Sequence, residues 1–338
     1  MKIAVVGLGA VGGLMAARLA RAGLPVSGLA RGATLTAVRD MGLRVQEGGQ
    51  ETVARLPVSD DPAVLGPQDL VVIALKGPAL TVAAESLRPL LAERTIVLPA
   101  MNGVPWWFMR TMHARNGAVE KAPSVDAPLA SVDPDGRIER SLPLSQVLGC
   151  VVHLTCSSPE PGLVKHGFGQ RLIIGEPAGG ASARTESVCR TLGEAGFVAE
   201  PSADIRTDIW YKLWGNMTTN PISALTGATT DRILDDPLVH AFMLRAMAEA
   251  AAIGARIGCP IEQSGEQRMV VTRQLGGFRT SMLQDAAAGR PLELDALVGA
   301  VHEIGSRLGV EAPNIGALLG LTRLMARERG LYASTLAR

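Results

Sequence analysis

The sequence predicts a two-domain α/β protein: a parallel β-sheet domain that carries extra β-hairpins, followed by an all-helical domain. Between residues 2 and 98, short apolar runs alternate with helix-like segments, which is the pattern of consecutive βαβ units. After residue 203 the strand-like runs end, and apolar residues recur with the spacing of amphipathic helices. We therefore predict a first domain over residues 1–202 and a second over residues 203–338.

The composition excludes several classes of protein. The chain has 338 residues, of which 47% are hydrophobic and 19% charged, with a net charge of +1; such a chain can bury large cores and is not disordered. It has no stripe of Lys and Arg that would indicate a nucleic-acid surface, and no apolar run of the roughly 18 residues that a membrane span needs. Its four cysteines lack zinc-ligand spacing, so we expect reduced thiols in a cytoplasmic protein without a metal site.

The elements of the first domain follow from its apolar runs. We predict strands over residues 2–6, 25–30, 69–75 and 95–98 and helices over residues 10–22, 34–41 and 79–91. The run at 69–75 is apolar almost throughout, as expected for a strand buried on both faces of a parallel sheet. Gly48-Gly49 predicts a hairpin turn within residues 42–57, and β-rich runs at 147–155 and 171–174 predict hairpins that extend the same sheet.

Helical periodicity dominates the second domain, which begins just after Pro201-Ser202. The predicted helices cover residues 204–219, 238–257, 262–274, 294–308 and 317–329. A homodimer and a monomer are both compatible with this organisation, and the helical domain would supply the dimer contacts.

A glycine-rich motif follows the first predicted strand and opens the first helix: Gly7-Leu8-Gly9-Ala10-Val11-Gly12. In the G-x-G-x-x-G pattern, the first glycine allows a tight turn, the second lets a pyrophosphate approach the backbone, and the third permits close packing of helix on strand. The helix N-terminus then offers N–H groups to the phosphates. Because strand, turn and helix follow in this order, the motif predicts a Rossmann-type domain that binds a dinucleotide.

The end of the second predicted strand indicates which dinucleotide is bound. NAD-specific sites carry Asp or Glu there, to hold the ribose 2′-hydroxyl. This chain instead has Leu29-Ala30-Arg31, and an arginine can grip a 2′-phosphate with charge-assisted hydrogen bonds. The alternative is a solvated surface arginine. We expect Arg31 to select NADP(H).

Two further polar residues directly follow apolar strands. Lys76 comes after the strand at 69–75, and Asn102 comes after the strand at 95–98. The carboxyl ends of parallel strands form the ligand-binding edge of such a sheet. We expect Lys76 to reach the cofactor and Asn102 to bind the nicotinamide ribose or the substrate. The alternatives are a charge at a strand end and an ordinary Asn-Gly turn.

The first helix of the second domain carries a polar stripe. Lys212, Asn216 and Asn220 are spaced by four residues, which places them on one helix face. A solvated face would normally carry Glu, Lys and Arg, so this stripe favours a substrate pocket. Three apolar residues flank the stripe in the sequence: Trp210, Trp214 and Met217.

Two motifs lie farther along the chain. Ser281 begins the run Ser-Met-Leu-Gln-Asp, and Glu293 lies in the run Gly-Arg-Pro-Leu-Glu-Leu-Asp that starts at Gly289. Taken alone, they predict a helix, a turn and the start of another helix, where Glu293 would be a helix N-terminal acid.

Together these motifs resemble the ketopantoate reductase family, and the resemblance covers nearly the whole chain. It rests on the glycine motif, Lys76, Asn102-Gly103, the Trp210–Pro221 run and the two motifs around Ser281 and Glu293. The resemblance implies a Rossmann domain joined to a helical domain. It also implies NADPH-dependent reduction of a 2-keto acid to a 2-hydroxy acid, most typically 2-dehydropantoate to pantoate in pantothenate biosynthesis.

The family resemblance also implies roles for individual residues. Lys212 matches the lysine that protonates the ketone oxygen as hydride arrives, and Glu293 matches the carboxylate that binds the distal hydroxyl of the substrate. The polar residues around substrate and cofactor are matched by Asn102, Asn216, Asn220 and Ser281. The five scattered histidines match no catalytic role and are expected to be structural.

The sequence departs from the family pattern at two places. Phe278 stands where many members carry Asn, and Trp106-Trp107-Phe108 is an unusual aromatic cluster directly after Asn102-Gly103. The cluster is either a hydrophobic or dimer contact or a pocket wall, so a bulkier 2-keto acid remains an alternative substrate. A related NADP-dependent dehydrogenase of 3-hydroxy acids and a non-catalytic NADPH sensor are the rival functions. The intact lysine–asparagine stripe argues against the sensor.

Overall fold

The computed structural model describes residues 1–111, 127–274 and 276–332, and the chain divides into two compact units. The first unit comprises Met1–Trp107 and Asp135–Asp208, and the second comprises Phe108–Pro134 and Ile209–Arg338. The functional division into a cofactor domain and a substrate or dimerisation domain stays a prediction.

The first unit is built around a parallel sheet, as the sequence predicts. Five strands pair in the order β5-β2-β1-β6-β7, all parallel. These strands are β1 (Ile3–Val6), β2 (Val26–Leu29), β5 (Val58–Ser59), β6 (Leu70–Ile73) and β7 (Ile96–Pro99). Strands β1, β6 and β7 are buried along their whole length, which explains why their sequences are apolar without alternation.

Helices connect and cover the strands of this unit. They are α1 (Ala10–Arg21), α2 (Gly32–Met41), α3 (Pro62–Leu65), α4 (Gly77–Ala83), α5 (Arg137–Ser141) and α6 (Ala183–Glu194). The predicted helix over 79–91 differs from the structure, because α4 is followed by a 3₁₀ segment, Ala84–Leu90. That segment contains Pro89, which lacks an N–H and disfavours a continuous α-helix.

Apart from one parallel bridge between Val97 and Val147, the extra hairpins do not extend the parallel sheet, so that prediction was wrong. They form a second sheet in the order β10-β9-β3-β4, with β8 also paired to β9. Its strands are β3 (Leu43–Glu47), β4 (Gln50–Ala54), β8 (Gly149–Glu160), β9 (Leu163–Gly175) and β10 (Val198–Ser202). Strand β9 pairs with β3, more than a hundred residues earlier in the chain, a partnership that no local pattern reveals. The predicted turn at Gly48-Gly49 is confirmed, since Glu47 pairs with Gln50.

The second unit is helical, as predicted. Its helices are α7 (Ile205–Thr226), α8 (Thr230–Asp235), α9 (Pro237–Arg256), α10 (Gly265–Arg273), α11 (Ser281–Ala287), α12 (Ala300–Arg307) and α13 (Pro313–Glu328). Helix α7 begins in the first unit and continues seven residues beyond the predicted end at Thr219, through Pro221. The hydroxyls of Thr218 and Thr219 both donate to the carbonyl of Gly215, at 3.1 Å. Pro221 has no N–H to donate to the carbonyl of Met217, four residues earlier in the helix.

Helix α9 lies at the centre of the second unit. By length and composition alone it would pass for a membrane span, with a mean hydropathy of 1.3 over its most apolar window and a third of that window buried. In the structure it contacts α8, α10, α12 and α13, so its apolar side chains have helical partners within the protein.

The four cysteines remain thiols, as expected from their spacing. Cys150, Cys189 and Cys259 are buried and Cys156 is half-buried. Burial raises the pKa of the Cys156 thiol to about 12, so this side chain stays protonated and unreactive at neutral pH. Among the described residues, no group of three His, Cys, Asp or Glu side chains is arranged to hold a metal ion.

Candidate active site

The turn between β1 and α1 requires glycine at two of its three motif positions for reasons internal to the protein. Gly7 has a φ of +90°, in a region that L side chains rarely adopt. A Cβ on Gly12 would lie 2.0 Å from the carbonyl oxygen of Gly7 and 2.8 Å from the Cβ of Ala74. Glycine at position 12 therefore lets α1 approach the sheet closely, as the motif predicts.

Gly9 is different, because no protein atom restricts it. A Cβ on Gly9 would meet nothing within 4 Å, and the residue is exposed at the N-cap of α1. The first turn of α1 contains no acidic residue. An open glycine backbone at a helix N-terminus fits a phosphate group, which needs both close approach and N–H donors. The pyrophosphate of a dinucleotide fits this position.

A cavity of about 280 Å³ opens beside this turn. Its lining consists of Val6, Gly7, Leu8, Gly9, Leu29, Ala30, Arg31, Thr34, Leu75, Ala79 and Ala83. The cavity lies at the carboxyl ends of three neighbouring strands, with β1 between β2 and β6, where the winding of the chain reverses and open α/β sheets bind ligands. No lining residue is acidic and one is a cation, so the cavity suits an anionic ligand. Ala10, Val11 and Gly12 form the first turn of α1 beside it.

Arg31 lies at the mouth of this cavity. It is exposed, lies two residues after the end of β2, and is the N-cap residue of α2. Thr34, in the first turn of α2, lines the same cavity and is half-buried. Thr34 is not among the residues predicted from the sequence; the signal that points to it is a hydroxyl three residues after Arg31, at the start of the same helix. Together they offer a guanidinium and a hydroxyl to an oxyanion.

Lys76 and Asn102 follow adjacent strands, since β6 and β7 pair in parallel. Lys76 is the N-cap residue of α4, and its carbonyl accepts the N–H of Leu80 at 3.0 Å. Asn102 precedes Gly103, whose φ is +87°. Both side chains are half-buried, and neither lines the cavity described above. They lie at the predicted sheet edge, while their contacts with cofactor or substrate stay predictions.

The polar stripe of the second unit lies on α7, as its spacing predicts. Lys212 and Asn216 are half-buried, and Asn220 is 6% exposed. The three side chains share one face of a regular helix.

The tryptophans that flank this stripe in the sequence do not face the same way in the structure. The indole N–H of Trp210 donates to the carbonyl of Ala250 at 3.3 Å, and that of Trp214 donates to the carbonyl of Met247 at 2.7 Å. Both acceptors belong to α9. Two residues along an α-helix correspond to a rotation of about 200°, so Lys212 projects on the side of α7 opposite the tryptophans. The apolar face anchors the helix, and the polar face is turned away from α9.

A buried hydroxyl pair fixes the end of the stripe to α11. Ser223 donates to the carbonyl of Asn220 at 2.9 Å and makes a short hydrogen bond to Thr280. The Thr280 hydroxyl also caps α11 by accepting the N–H of Leu283. Ser281, which the sequence singled out, is the exposed first residue of that helix. The local pattern marked the right turn, but Thr280 is the residue that joins it to α7.

Glu293 is half-buried and directly precedes the helix that leads into α12. It belongs to the second unit together with Lys212, Asn216, Asn220 and Ser281. Its role as an acceptor for a substrate hydroxyl stays a prediction.

The residues that depart from the family pattern are engaged in packing. Trp106, Trp107 and Phe108 are each at most 4% exposed. The ring of Phe108 stacks on Trp210 with centroids 5.9 Å apart. This packing favours the interpretation of the aromatic residues as an internal hydrophobic cluster over the alternative of a pocket wall. Phe278 is half-buried, and its N–H donates to the Thr230 hydroxyl at 3.2 Å.

The fold and these features define a class, a two-domain oxidoreductase with a Rossmann-type dinucleotide site. Two family profiles match the chain: "Ketopantoate reductase PanE/ApbA" over residues 3–179 and "Ketopantoate reductase PanE/ApbA C terminal" over residues 204–326. The chain belongs to the ketopantoate reductase family.

Individual relatives agree over the full length. The 2-dehydropantoate 2-reductase of Mesorhizobium japonicum is 42% identical, with 98% of this chain and 100% of that protein aligned. A crystal structure of a Ralstonia solanacearum protein assigned as a ketopantoate reductase is 56% identical, covers 98% of this chain and 99% of its own, and superposes with a TM-score of 0.91. D-mandelate dehydrogenase in complex with NADH and anilino(oxo)acetate shares the fold, with a TM-score of 0.83 at 20% identity over 98% of this chain and all of its own.

Proposed function

We propose that this protein reduces the ketone of 2-dehydropantoate to the alcohol of pantoate with NADPH, as a cytoplasmic enzyme of pantothenate biosynthesis. Full-length similarity to proteins named 2-dehydropantoate 2-reductase supports the substrate. The reaction type is supported by the polar face of α7, which lies opposite the tryptophans that bond to α9. The same chain has, in its first unit, a cavity that suits a dinucleotide.

The cofactor proposal rests on the cavity beside the glycine turn. Its open backbone at Gly9 suits a pyrophosphate, and Arg31 and Thr34 suit the 2′-phosphate that distinguishes NADPH from NADH. Lys76 and Asn102 follow the adjacent strands β6 and β7 and would hold the nicotinamide half of the cofactor. The absence of an acidic lining residue removes the group that would repel a 2′-phosphate and hold a free ribose hydroxyl.

Lys212 is proposed as the general acid. Bound NADPH supplies the hydride that forms the new C–H bond at the ketone carbon. The carbonyl electron pair moves to oxygen, and the Lys212 ammonium gives that oxygen a proton, which leaves a neutral amine for solvent to reprotonate. A positioned proton donor of this kind contributes on the order of 10²–10⁴-fold to the rate, and its charge stabilises the developing alkoxide before transfer is complete.

The other polar residues orient the substrate in this proposal. Asn216 and Asn220 follow Lys212 along one face of α7 and offer amide groups to the substrate carboxylate and ketone. Ser281 lies at the start of α11, which the buried Ser223–Thr280 bond ties to the end of the stripe. Glu293 accepts a hydrogen bond from the distal hydroxyl, the group that distinguishes 2-dehydropantoate from simpler 2-keto acids.

The proposal is tested by a panel of 2-keto acids with NADPH, compared by kcat/KM. We expect 2-dehydropantoate to be preferred over its deoxy analogue trimethylpyruvate and over aromatic 2-keto acids. A preference for aromatic acids would instead support the bulkier substrate suggested by Phe278. Turnover of 3-hydroxy acids with NADP⁺ would indicate the related dehydrogenases, and tight NADPH binding without any turnover would indicate a sensor.

A further inference from the structure

The C-terminal end of α13 is fixed in one geometry. Gly330 has a φ of +65°, its N–H donates to the carbonyl of Arg327 at 3.0 Å, and the N–H of Leu331 donates to the carbonyl of Ala326 at 2.7 Å. This pair of bonds is the Schellman arrangement, which satisfies the last helix carbonyls. It sets the direction in which Leu331 and Tyr332 leave the helix.

Two hydrogen bonds join this end of α13 to the segment that carries Glu293. The N–H of Leu292 donates to the carbonyl of Leu331 at 2.9 Å. The hydroxyl of Tyr332 donates to Oδ1 of Asp295 at 2.6 Å. The first bond involves Leu292, the residue before Glu293, and the second involves Asp295, two residues after it. Glu293 is therefore bracketed by two consecutive residues that follow α13.

The second of these bonds coincides with an irregular helical turn. Asp295–Gly299 is π-helical, and the N–H of Ala300 donates to the carbonyl of Asp295. Single π turns are rare in proteins, and those that occur often lie at functional sites. Because Asp295 is the first residue of this turn, whatever holds its side chain helps to set the direction of the backbone at Glu293.

The surroundings make the Tyr332 hydroxyl important to Asp295. Leu292 and Leu331 are each 3% exposed, and the guanidinium of Arg327 lies 5.5 Å from the centroid of the Tyr332 ring. Burial raises the pKa of the Asp295 carboxyl, and the hydrogen bond from Tyr332 opposes that shift. Asp295 is half-buried, and a carboxyl partly withdrawn from water needs a donor, since an unsatisfied one is costly.

We propose that Tyr332 is a positioning residue for substrate selection: through Asp295 it holds Glu293 in the orientation that accepts the distal hydroxyl of the 2-keto acid. The inference rests on the proposed function, and in particular on the role of Glu293. Tyr332 itself does not touch the substrate. Its effect is therefore confined to substrates that carry the hydroxyl, whereas a merely structural residue would affect all substrates alike.

The test is Tyr332→Phe in the full-length protein, which keeps the ring and removes the hydroxyl. Steady-state kinetics with NADPH are measured on 2-dehydropantoate and on trimethylpyruvate, which lacks only the hydroxyl. We expect KM for 2-dehydropantoate to rise about five- to tenfold, the size expected when one hydrogen bond is weakened. We expect kcat, and KM for trimethylpyruvate, to change by less than about twofold.

Two controls separate positioning from general stability. Tyr211→Phe removes a hydroxyl bond of the same length, 2.6 Å to Gln263 in the same unit, and should leave the ratio of the two KM values unchanged. Asp295→Asn retains an oxygen that accepts from Tyr332 and should keep the selectivity, whereas Asp295→Ala should behave like Tyr332→Phe. Thermal melts accompany every variant.

The Glu293→Ala background completes the test. There, Tyr332→Phe should have no further effect on KM for 2-dehydropantoate, because the group it positions is gone. An equal rise in KM for both substrates, or a full effect in the Glu293→Ala background, overturns the inference. A Glu293→Ala variant with wild-type KM for 2-dehydropantoate overturns the role of Glu293 and the inference together. Wild-type protein that does not reduce 2-dehydropantoate overturns the proposed function itself, and the inference with it.

Discussion

The carbonyl oxygen of Gly7 occupies the space that a side chain at position 12 would need, since a Cβ on Gly12 would stand 2.0 Å from it. Three residues earlier in the motif, a Cβ on Gly9 would meet nothing within 4 Å. One glycine is thus required by the protein's own packing, and the other is open toward the cavity. In this motif Gly12 is needed for packing and Gly9 for access of the ligand, and the two requirements can be separated by experiment.

Gly12→Ala and Gly9→Ala form the first prediction. Gly12→Ala should lower the free energy of unfolding by about 1–3 kcal/mol or more, because the backbone must move to admit the methyl group. Gly9→Ala should melt close to wild type, since its φ of −78° suits alanine, yet it should lose NADPH affinity at least tenfold. Calorimetric melts and fluorescence titration with NADPH provide the two measurements. Equal melting temperatures for the two variants would contradict the steric assignment.

Arg31→Ala should weaken NADPH far more than NADH. A hydrogen bond to a charged group contributes about 1.5–3 kcal/mol, so we expect roughly a 10- to 150-fold loss for NADPH and little change for NADH. Arg39→Ala, an exposed arginine of the same helix, serves as the matched control. Titration of both variants with both cofactors measures the effect, and a similar loss for NADH and NADPH would remove Arg31 from the 2′-phosphate site.

Lys212→Ala should lower kcat by about 10²-fold or more while leaving NADPH affinity nearly unchanged. The helix should survive, because alanine has the highest helix propensity and the tryptophans still anchor α7 to α9. Lys212→Arg should recover only part of the activity, since a guanidinium does not readily release a proton at neutral pH. Lys165→Ala, at an exposed position on β9, controls for loss of a positive charge. A folded Lys212→Ala protein with near wild-type kcat would leave this lysine a structural role only.

Glu293→Ala should raise KM for 2-dehydropantoate by about tenfold or more, because a charge-assisted hydrogen bond to the distal hydroxyl is lost. The same change should have little effect on trimethylpyruvate, which has no such hydroxyl. Initial rates at saturating NADPH measure both constants. Equal sensitivity of the two substrates would mean that Glu293 serves only as an acid at a helix start.

Several features followed from local sequence patterns alone. The apolar run at Leu70–Ile73, the hairpin turn at Gly48-Gly49 and the motif at Gly7–Gly12 are all found where the pattern predicted them. Each depends on residues within a few positions of one another, so periodicity and backbone preference suffice to predict it. The spacing of Lys212, Asn216 and Asn220 likewise fixed a shared helix face.

The sequence could not show what lies opposite that face. Trp210 and Trp214 flank the stripe in the sequence, yet their indoles bond to carbonyls of α9, 40 and 33 residues later. A helix separates residues two apart by about half a turn, and only the position of α9 decides which half is buried. The stripe lies on the side of α7 opposite the one that bonds to α9.

The sequence by itself thus determined the parallel sheet, the glycine turn and the order of the helices, because these arise from short-range periodicity and steric preference. Only the tertiary structure decided that the hairpins form a sheet of their own, since β3 and β9 pair across more than a hundred residues. It also decided that Tyr332 holds Asp295, 37 residues away in the sequence. Hydrogen bonds between distant segments depend on how whole elements pack, and this packing has no signature in the local pattern of the residues that make them.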